Sequence, residues 1–201
     1  MSTRLAQFIS HVFDPLPTTV VIGLIGIFST TMSQSDRLSW LGLIGALTVL
    51  IGLILAWFMR RGYVFDAKLT HDDDLHRDRL GILWITDGLL TLAVFVSAAQ
   101  GQQQPLWSIL VAMTIVLVIA TLITTQYKVS LHMVGVASLV TLLIILFWPV
   151  GFTSLILLPI VAWARRVLHR HTLAQLITGT IVATVSIVVV FALTGQLVVI
   201  Q

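Results

Sequence analysis

"ARRVLHRHTLAQ", from Ala164 to Gln175, sets three arginines and two histidines within the seven positions Arg165 to His171. Elsewhere the chain is sparing with charge: Asp, Glu, Lys and Arg make up 9% of its 201 residues. The residues on either side return at once to hydrocarbon, with an apolar window from Val150 to Ala164 before the cluster and another from Leu173 to Ile200 after it. A cationic cluster between two such windows marks the end of one helix and the start of the next at a polar boundary, and the rest of the chain is read outward from there.

An apolar content of 58% and a mean hydropathy of +1.05 exceed what an ordinary water-facing surface allows,. Windows of the length a bilayer requires occur at Leu16 to Met32, Trp40 to Phe58, Leu80 to Ala98, Leu106 to Thr125 and Val129 to Trp148, followed by the two already named,. The expectation is an all-α integral membrane protein, a bundle of six to seven transmembrane helices with the active site at one membrane face. Spanning segments must satisfy their backbone polar groups internally, which leads to helices. Pro149 and Pro159 bracket the sixth window, so a tilted, kinked or re-entrant helix is allowed there,. Residues 1–201 read as one transmembrane domain: N-terminal helices over 1–61, a chemistry-bearing core over 62–179, and the end of the last span over 180–201. The opening "MSTRLAQFISHVFDPLP" has polar residues through its middle and no cleavage signature, so it is expected to stay on the chain, either in the interface or in the bundle,. There is no cysteine, which removes disulfides and thiolate metal sites from consideration,.

The charges are asymmetric. With alternating spans, Arg4, Arg60, Arg61, Lys68, Arg77, Arg79, Lys128, Arg165, Arg166 and Arg170 fall on one side, and Arg37 alone on the other. The positive-inside rule then places the basic side in the cytoplasm of a multi-pass cell-membrane protein. Topology alone accounts for anchors such as Arg60 and Arg61, but that side also gathers His71, His76, His132, His169 and His171. Lys128 and His132 are four apart and share a face if both are helical, with Ser130 in a first turn whose amides face an anion. Arginine supplies planar donors for phosphate oxygens, and histidine moves a proton or accepts a phosphoryl group near neutral pH. His71, His76 and His169 read as structural, and Arg166 and Arg170 as anchors or headgroup contacts. Trp40, Trp57, Trp107, Trp148 and Trp163 lie near window ends, as an interfacial belt predicts,. Asp87, inside the third window, is expected to be protonated or paired with an arginine or histidine of the site.

In order and spacing these residues resemble the type 2 phosphatidic acid phosphatase superfamily, the membrane relatives of vanadium haloperoxidases. Its signature is Lys-x6-Arg-Pro, then Pro-Ser-Gly-His, then Ser-Arg-x5-His-x3-Asp. "VSLH" is similar to the second motif at Ser130 and His132, with Val129 for proline and Leu131 for glycine; the opening cluster is similar to the third at Arg165 and His171. The resemblance covers about Phe65 to Gly179 and looks like a divergent branch reading "R-x5-H-T-x-x-Q-x-x-x-G". It implies His171 as nucleophile, His132 as general acid and base, and Arg165 with Ser130, Lys128 and Arg79 or Arg77 as phosphate ligands, without metal or cofactor. Gln175 stands where the family has a carboxylate, and Asp72 and Thr70 occupy the places of the first-motif lysine counted back from Arg79 and Arg77. Gln175 and Asp87 are then supporting residues. The implied activity is hydrolysis of a lipid-borne phosphate or diphosphate, an isoprenoid phosphate ahead of a phosphatidate, with the bilayer as partner and no nucleic acid. Two other readings come from the residues themselves. "HDDD" at His71 to Asp74 would suit a Mg²⁺-dependent prenyltransferase, and the basic face alone would suit a non-catalytic binder of anionic lipid.

Overall fold

In the computed structural model the backbone of residues 2–60 and 73–197 is described, with the side chains of all of these except residues 2, 58, 59 and 73–79. Helices α1 (Ser2–Val12), α2 (Pro15–Ser29), α3 (Gln34–Arg60), α4 (Asp73–Ala99), α5 (Leu106–Thr124), α6 (Leu131–Leu146), α7 (Leu157–Val167) and α8 (Leu173–Leu193) follow one another, with a 3₁₀ segment (Val150–Ile156) leading into α7. No strand occurs among the described residues. The all-α expectation therefore holds.

Among the described residues, five segments are long and apolar enough to cross a bilayer: Gln34–Trp57, Leu80–Ala99, Leu106–Thr124, Val150–Val167 and Leu173–Leu193. The pair Thr3–Val12 and Pro15–Ser29, bent by 42°, makes a sixth if it acts as one span. By length and composition this gives five or six segments beside the six or seven expected, and the one not counted is the fifth window. Its helix, α6, has 16 residues, about 24 Å at 1.5 Å per residue, short of a hydrocarbon layer of about 30 Å. Its hydrophobicity serves a different purpose: every residue from His132 to Leu142 is buried. Helix α6 is the central post of the bundle, with α8, α2, α7 and the 3₁₀ segment packed around it.

The sixth window gains its length from the 3₁₀ segment. Seven residues rising about 2.0 Å each and eleven rising about 1.5 Å each reach roughly 30 Å, more than 18 α-helical residues would. Pro159 is the third residue of α7, inside the first turn where a missing amide costs little,. Gly151 lets the segment return against the end of α6, because a Cβ there would overlap the Leu143 carbonyl.

The core is a layer of side chains around α6. Ile22, Val116, Ala120, Ala137, Leu142, Ala183, Ile187 and Phe191 are at most 1% exposed. At the end remote from the arginine cluster, Thr30 Oγ1 accepts the Leu106 amide at 3.0 Å, which satisfies a first-turn donor of α5,. Gly26 lets α2 lie against α5 there, since its Cβ would stand 2.9 Å from Leu106 Cδ1. Outward-facing side chains are large and apolar, among them Leu53, Phe95, Ile181 and Val185, each more than half exposed. Such a surface is compatible with a multi-pass membrane protein. Trp57, Trp148 and Trp163 face outward, whereas Trp40 is 2% exposed and packs on Ile27 and Ala93. It belongs to the core and not to an interfacial belt.

Candidate functional site

The opening stretch folds as a stop and a start. Helix α7 closes in a Schellman turn: His169 takes a left-handed φ of 53°, the Arg170 amide bonds the Arg165 carbonyl at 3.1 Å, and the His169 amide bonds the Arg166 carbonyl at 3.0 Å,. His169 therefore serves as an exposed backbone cap. Three residues later Thr172 caps α8 in a reciprocal box, its Oγ1 accepting the Gln175 amide at 3.3 Å while Gln175 Oε1 accepts the Thr172 amide at 3.0 Å,. The short link between cap and cap leaves His171 little room, and it is buried.

Gln175 fixes more than the helix start. Its Oε1 lies 3.2 Å from His171 Nδ1. Since Oε1 is identified by the backbone N–H that donates to it, and a carbonyl oxygen only accepts, Nδ1 must carry the proton. In neutral His171 the lone pair then resides on Nε2, the nitrogen a nucleophile would use.

Arg165, in the last turn of α7, is 1% exposed and heads the fully buried side chains by size. Its Nη1 donates to Ser10 Oγ at 2.7 Å and lies 3.4 Å from His132 Nε2. Ser10 Oγ is 3.3 Å from the same nitrogen, and Asp14 Oδ2 is 3.7 Å away. The hydroxyl accepts from the guanidinium and has its own proton for Nε2, so neutral His132 takes its ring proton on Nδ1; a protonated His132 would turn N–H toward Asp14. Arg166, beside the cluster, donates to the His171 carbonyl at 3.5 Å.

The two halves meet through the start of α6. The Ser130 amide donates to the Gln175 carbonyl at 3.4 Å, which holds the α6 N-terminus against the first turn of α8. Gly179 allows this approach: a Cβ there would stand 2.9 Å from the Ser130 carbonyl oxygen. Ser130 is the N-cap of α6, in extended backbone, but its side chain makes no cap bond. Its Oγ is buried with no hydrogen-bond partner. A buried hydroxyl left unsatisfied costs about 1–3 kcal/mol, and it lies at a helix N-terminus, where first-turn amides lack intrahelical acceptors,.

The sequence-derived residues fare unequally. His132 meets Arg165, and Ser130, Gln175 and His171 form a chain of contacts at the same end. Lys128 is half-buried and adjoins them, but α6 begins at Leu131, so Lys128 does not share a helix face with His132; the N-cap at Ser130 starts the helix two residues too late for that. Asp87 is not paired with an arginine or histidine in its described contacts. Its Oδ2 accepts from Thr121 Oγ1 on α5 at 3.0 Å, and its Oδ1 is buried with no hydrogen-bond partner. The backbones of Arg77 and Arg79 lie in α4, with side chains outside the described residues; Lys68 and His71 to Asp72 lie outside them altogether, as does the His76 side chain, and the side chains of Asp73 and Asp74 do too.

Ser10 and Asp14 are the residues that sequence reasoning missed. Helix α1 packs along α7 and turns its Ala6 and Ser10 inward, while Leu5, Phe8 and Val12 face out. Asp14 caps α2 ahead of Pro15, its Oδ1 accepting the Leu16 amide at 3.3 Å,. The available signal was the i, i+4 spacing of a serine and an Asp-Pro cap in "FISHVFDP". Comparison of the chain with protein-family models, with curated proteins and with solved structures returns no match.

Proposed function

We propose that the chain is a multi-pass membrane phosphatase, a divergent relative of the type 2 phosphatidic acid phosphatases, that hydrolyses a lipid-borne phosphate or diphosphate through a phosphohistidine. The observation that carries this reading is the buried Arg165, whose Nη1 converges with Ser10 Oγ on His132 Nε2, on the helix that the unsatisfied Ser130 caps. A guanidinium withdrawn from water is costly unless it serves an anion. A phosphate entering here would find the guanidinium, the serine hydroxyl and the α6 amides as donors to its equatorial oxygens.

In the first step His171 Nε2 uses its lone pair to form a bond to phosphorus. The bond from phosphorus to the leaving oxygen breaks, and that oxygen takes a proton from His132. In the second, His132 takes a proton from water as the water oxygen bonds phosphorus and the phosphorus–nitrogen bond breaks, releasing inorganic phosphate. Gln175 holds the His171 tautomer through both steps but adds no negative charge to stabilise an imidazolium. Lys128, Arg77 and Arg79 are the further cations of this end, and no metal or cofactor takes part in this scheme.

The substrate's tail lies in the bilayer, because the bundle has large apolar side chains facing outward and its chemistry at one end. A polyprenyl phosphate is the favoured substrate, a phosphatidate the next. The basic asymmetry supports a cytoplasmic position for this end under the positive-inside rule. The test is phosphate release from both substrate classes by purified protein in EDTA, beside His171→Ala and His132→Ala. Release abolished in both, with an acid-labile, alkali-stable phosphoryl label that His132→Ala still forms from an activated substrate and His171→Ala does not, supports the scheme. Release that appears only when Mg²⁺ is restored would move the reading to the "HDDD" loop.

A further inference from the structure

We propose that Asp14, delivered by the N-terminal helix pair, is the counter-ion that holds the proton on His132 in the substrate-free protein and gives way to phosphate when substrate arrives. The substrate is taken from the phosphatase reading; the pair itself rests on geometry. Asp14 Oδ2 lies 3.7 Å from His132 Nε2, the same nitrogen that Ser10 Oγ and Arg165 Nη1 approach. A leaving-group oxygen needs that nitrogen's proton, so the carboxylate and the substrate address one position and cannot both hold it.

Two features make the placement of Asp14 firm. Its Oδ1 accepts the Leu16 amide, and its carbonyl accepts from the Thr18 amide at 3.1 Å and the Thr18 hydroxyl at 2.9 Å, so the residue is locked into the first turn of α2. That turn is docked on α6 where α6 has no side chain: a Cβ on Gly135 would meet Thr18 Cγ2 at 3.5 Å and Pro15 Cα at 3.9 Å. Gly135 lies one turn beyond His132, so the α2 cap sits beside the imidazole. Ser10, His132 and Arg165 are all at most 9% exposed, while the Asp14 side chain is half exposed. An anion entering from outside therefore meets Asp14 first.

Among the described residues, charged and titratable groups flank His132 from several elements. Helix α7 contributes Arg165, with Arg166 turned to the His171 carbonyl. Helix α1 contributes neutral Ser10, and its His11 is bonded to its own helix at the Gln7 carbonyl. Lys128 precedes α6 and His171 precedes α8, whose first turn presents Gln175. Arg165, 3.4 Å from His132 Nε2, weakens the hold of His132 on a proton and is opposed by the Asp14 carboxylate at 3.7 Å,. Without it His132 gives up its proton at lower pH, and a phosphate finds one negative charge fewer in its way. Asp14 acts through His132, so it is a positioning residue.

The test uses full-length protein in detergent with labelled histidine, comparing wild type with Asp14→Asn, which keeps the helix cap. His132 is assigned by the signal lost in His132→Gln, and its titration is followed by NMR. Inorganic phosphate binding is followed by calorimetry, and phosphate release is followed against pH. The expected result is a His132 midpoint lower by about 0.5–1 pH unit, tighter phosphate binding, and an alkaline limb of kcat that moves to lower pH while KM falls. An unchanged midpoint, or weaker phosphate binding, would overturn the proposal. A shifted midpoint with tighter phosphate binding in a protein that hydrolyses no phosphate ester would leave the pair standing and remove the phosphatase reading instead.

Discussion

Replacing Gln175 by alanine separates the two tasks of one amide oxygen. Oε1 accepts the Thr172 amide at 3.0 Å and faces His171 Nδ1 at 3.2 Å, and Gln175 is 6% exposed. Truncation leaves a cap donor and a buried ring donor without their acceptor, at about 1–3 kcal/mol for the buried one and about 1 kcal/mol for the other. The expected loss of stability is therefore about 2–4 kcal/mol, read as a fall in Tm by tryptophan fluorescence in detergent. Loss of the partner that sets a functional histidine's tautomer typically costs about 10- to 100-fold, so kcat for phosphate release should fall by that much. Thr172→Ala is the control: it removes the other half of the capping box, at about 1 kcal/mol, and leaves Oε1 facing His171,. Gln175→Glu keeps both acceptors and adds a charge favourable in a helix's first turn. It should retain stability within about 1 kcal/mol and move the acidic limb of kcat to higher pH, because a carboxylate beside His171 keeps the ring protonated, and not nucleophilic, further up the pH scale. If Gln175→Ala lost stability as stated but matched Thr172→Ala in kcat, the orienting role would be refuted.

Four further outcomes follow from the packing and the charge asymmetry. Arg165→Lys keeps the charge but cannot present a planar fork to Ser10 and His132, and kcat should fall about 10²- to 10³-fold with KM less affected; an unaltered kcat would remove the guanidinium from the transition state. Gly179→Ala puts a Cβ 2.9 Å from the Ser130 carbonyl, and should cost about 1–3 kcal/mol in unfolding free energy together with activity. Thr121→Val strands the Asp87 carboxylate, at about 1–3 kcal/mol, and a Thr121→Val, Asp87→Leu double variant should be less damaged than the sum of the singles in a stability cycle. Since the chain has no cysteine, single cysteines at Arg170 and Gln103 report orientation cleanly: an impermeant maleimide added to intact cells should label Gln103→Cys and spare Arg170→Cys, and the reverse would invert the assigned topology.

The arginine cluster shows how far local sequence reaches. Its residues lie within one turn-and-cap unit, so spacing alone anticipates that Arg165 and His171 leave α7 and enter α8 close together, and the capping box is written in Thr172 and Gln175. The alternation of apolar windows likewise gives the all-helical class, because burial of hydrocarbon and satisfaction of backbone polar groups admit few other solutions. Window hydrophobicity did not tell a lipid-length helix from a buried one: α6 and α8 read alike, yet α6 is a 16-residue core post, and periodicity carries no signal when every face is covered.

The helical class, the gathering of cations toward one side and the local unit that presents Arg165, His171 and Gln175 are all legible in the order of residues. That Ser10 and Asp14, more than a hundred residues away in the chain, close on His132 and Arg165, and that Asp87 turns to Thr121, comes from helix packing. The reason is physical: a helix turn is fixed by neighbours within four residues, whereas the partner of a buried charge is fixed by which helices pack together. That choice rests on small close-approach residues such as Gly26 and Gly179, whose consequence appears only when the partner helix is in place.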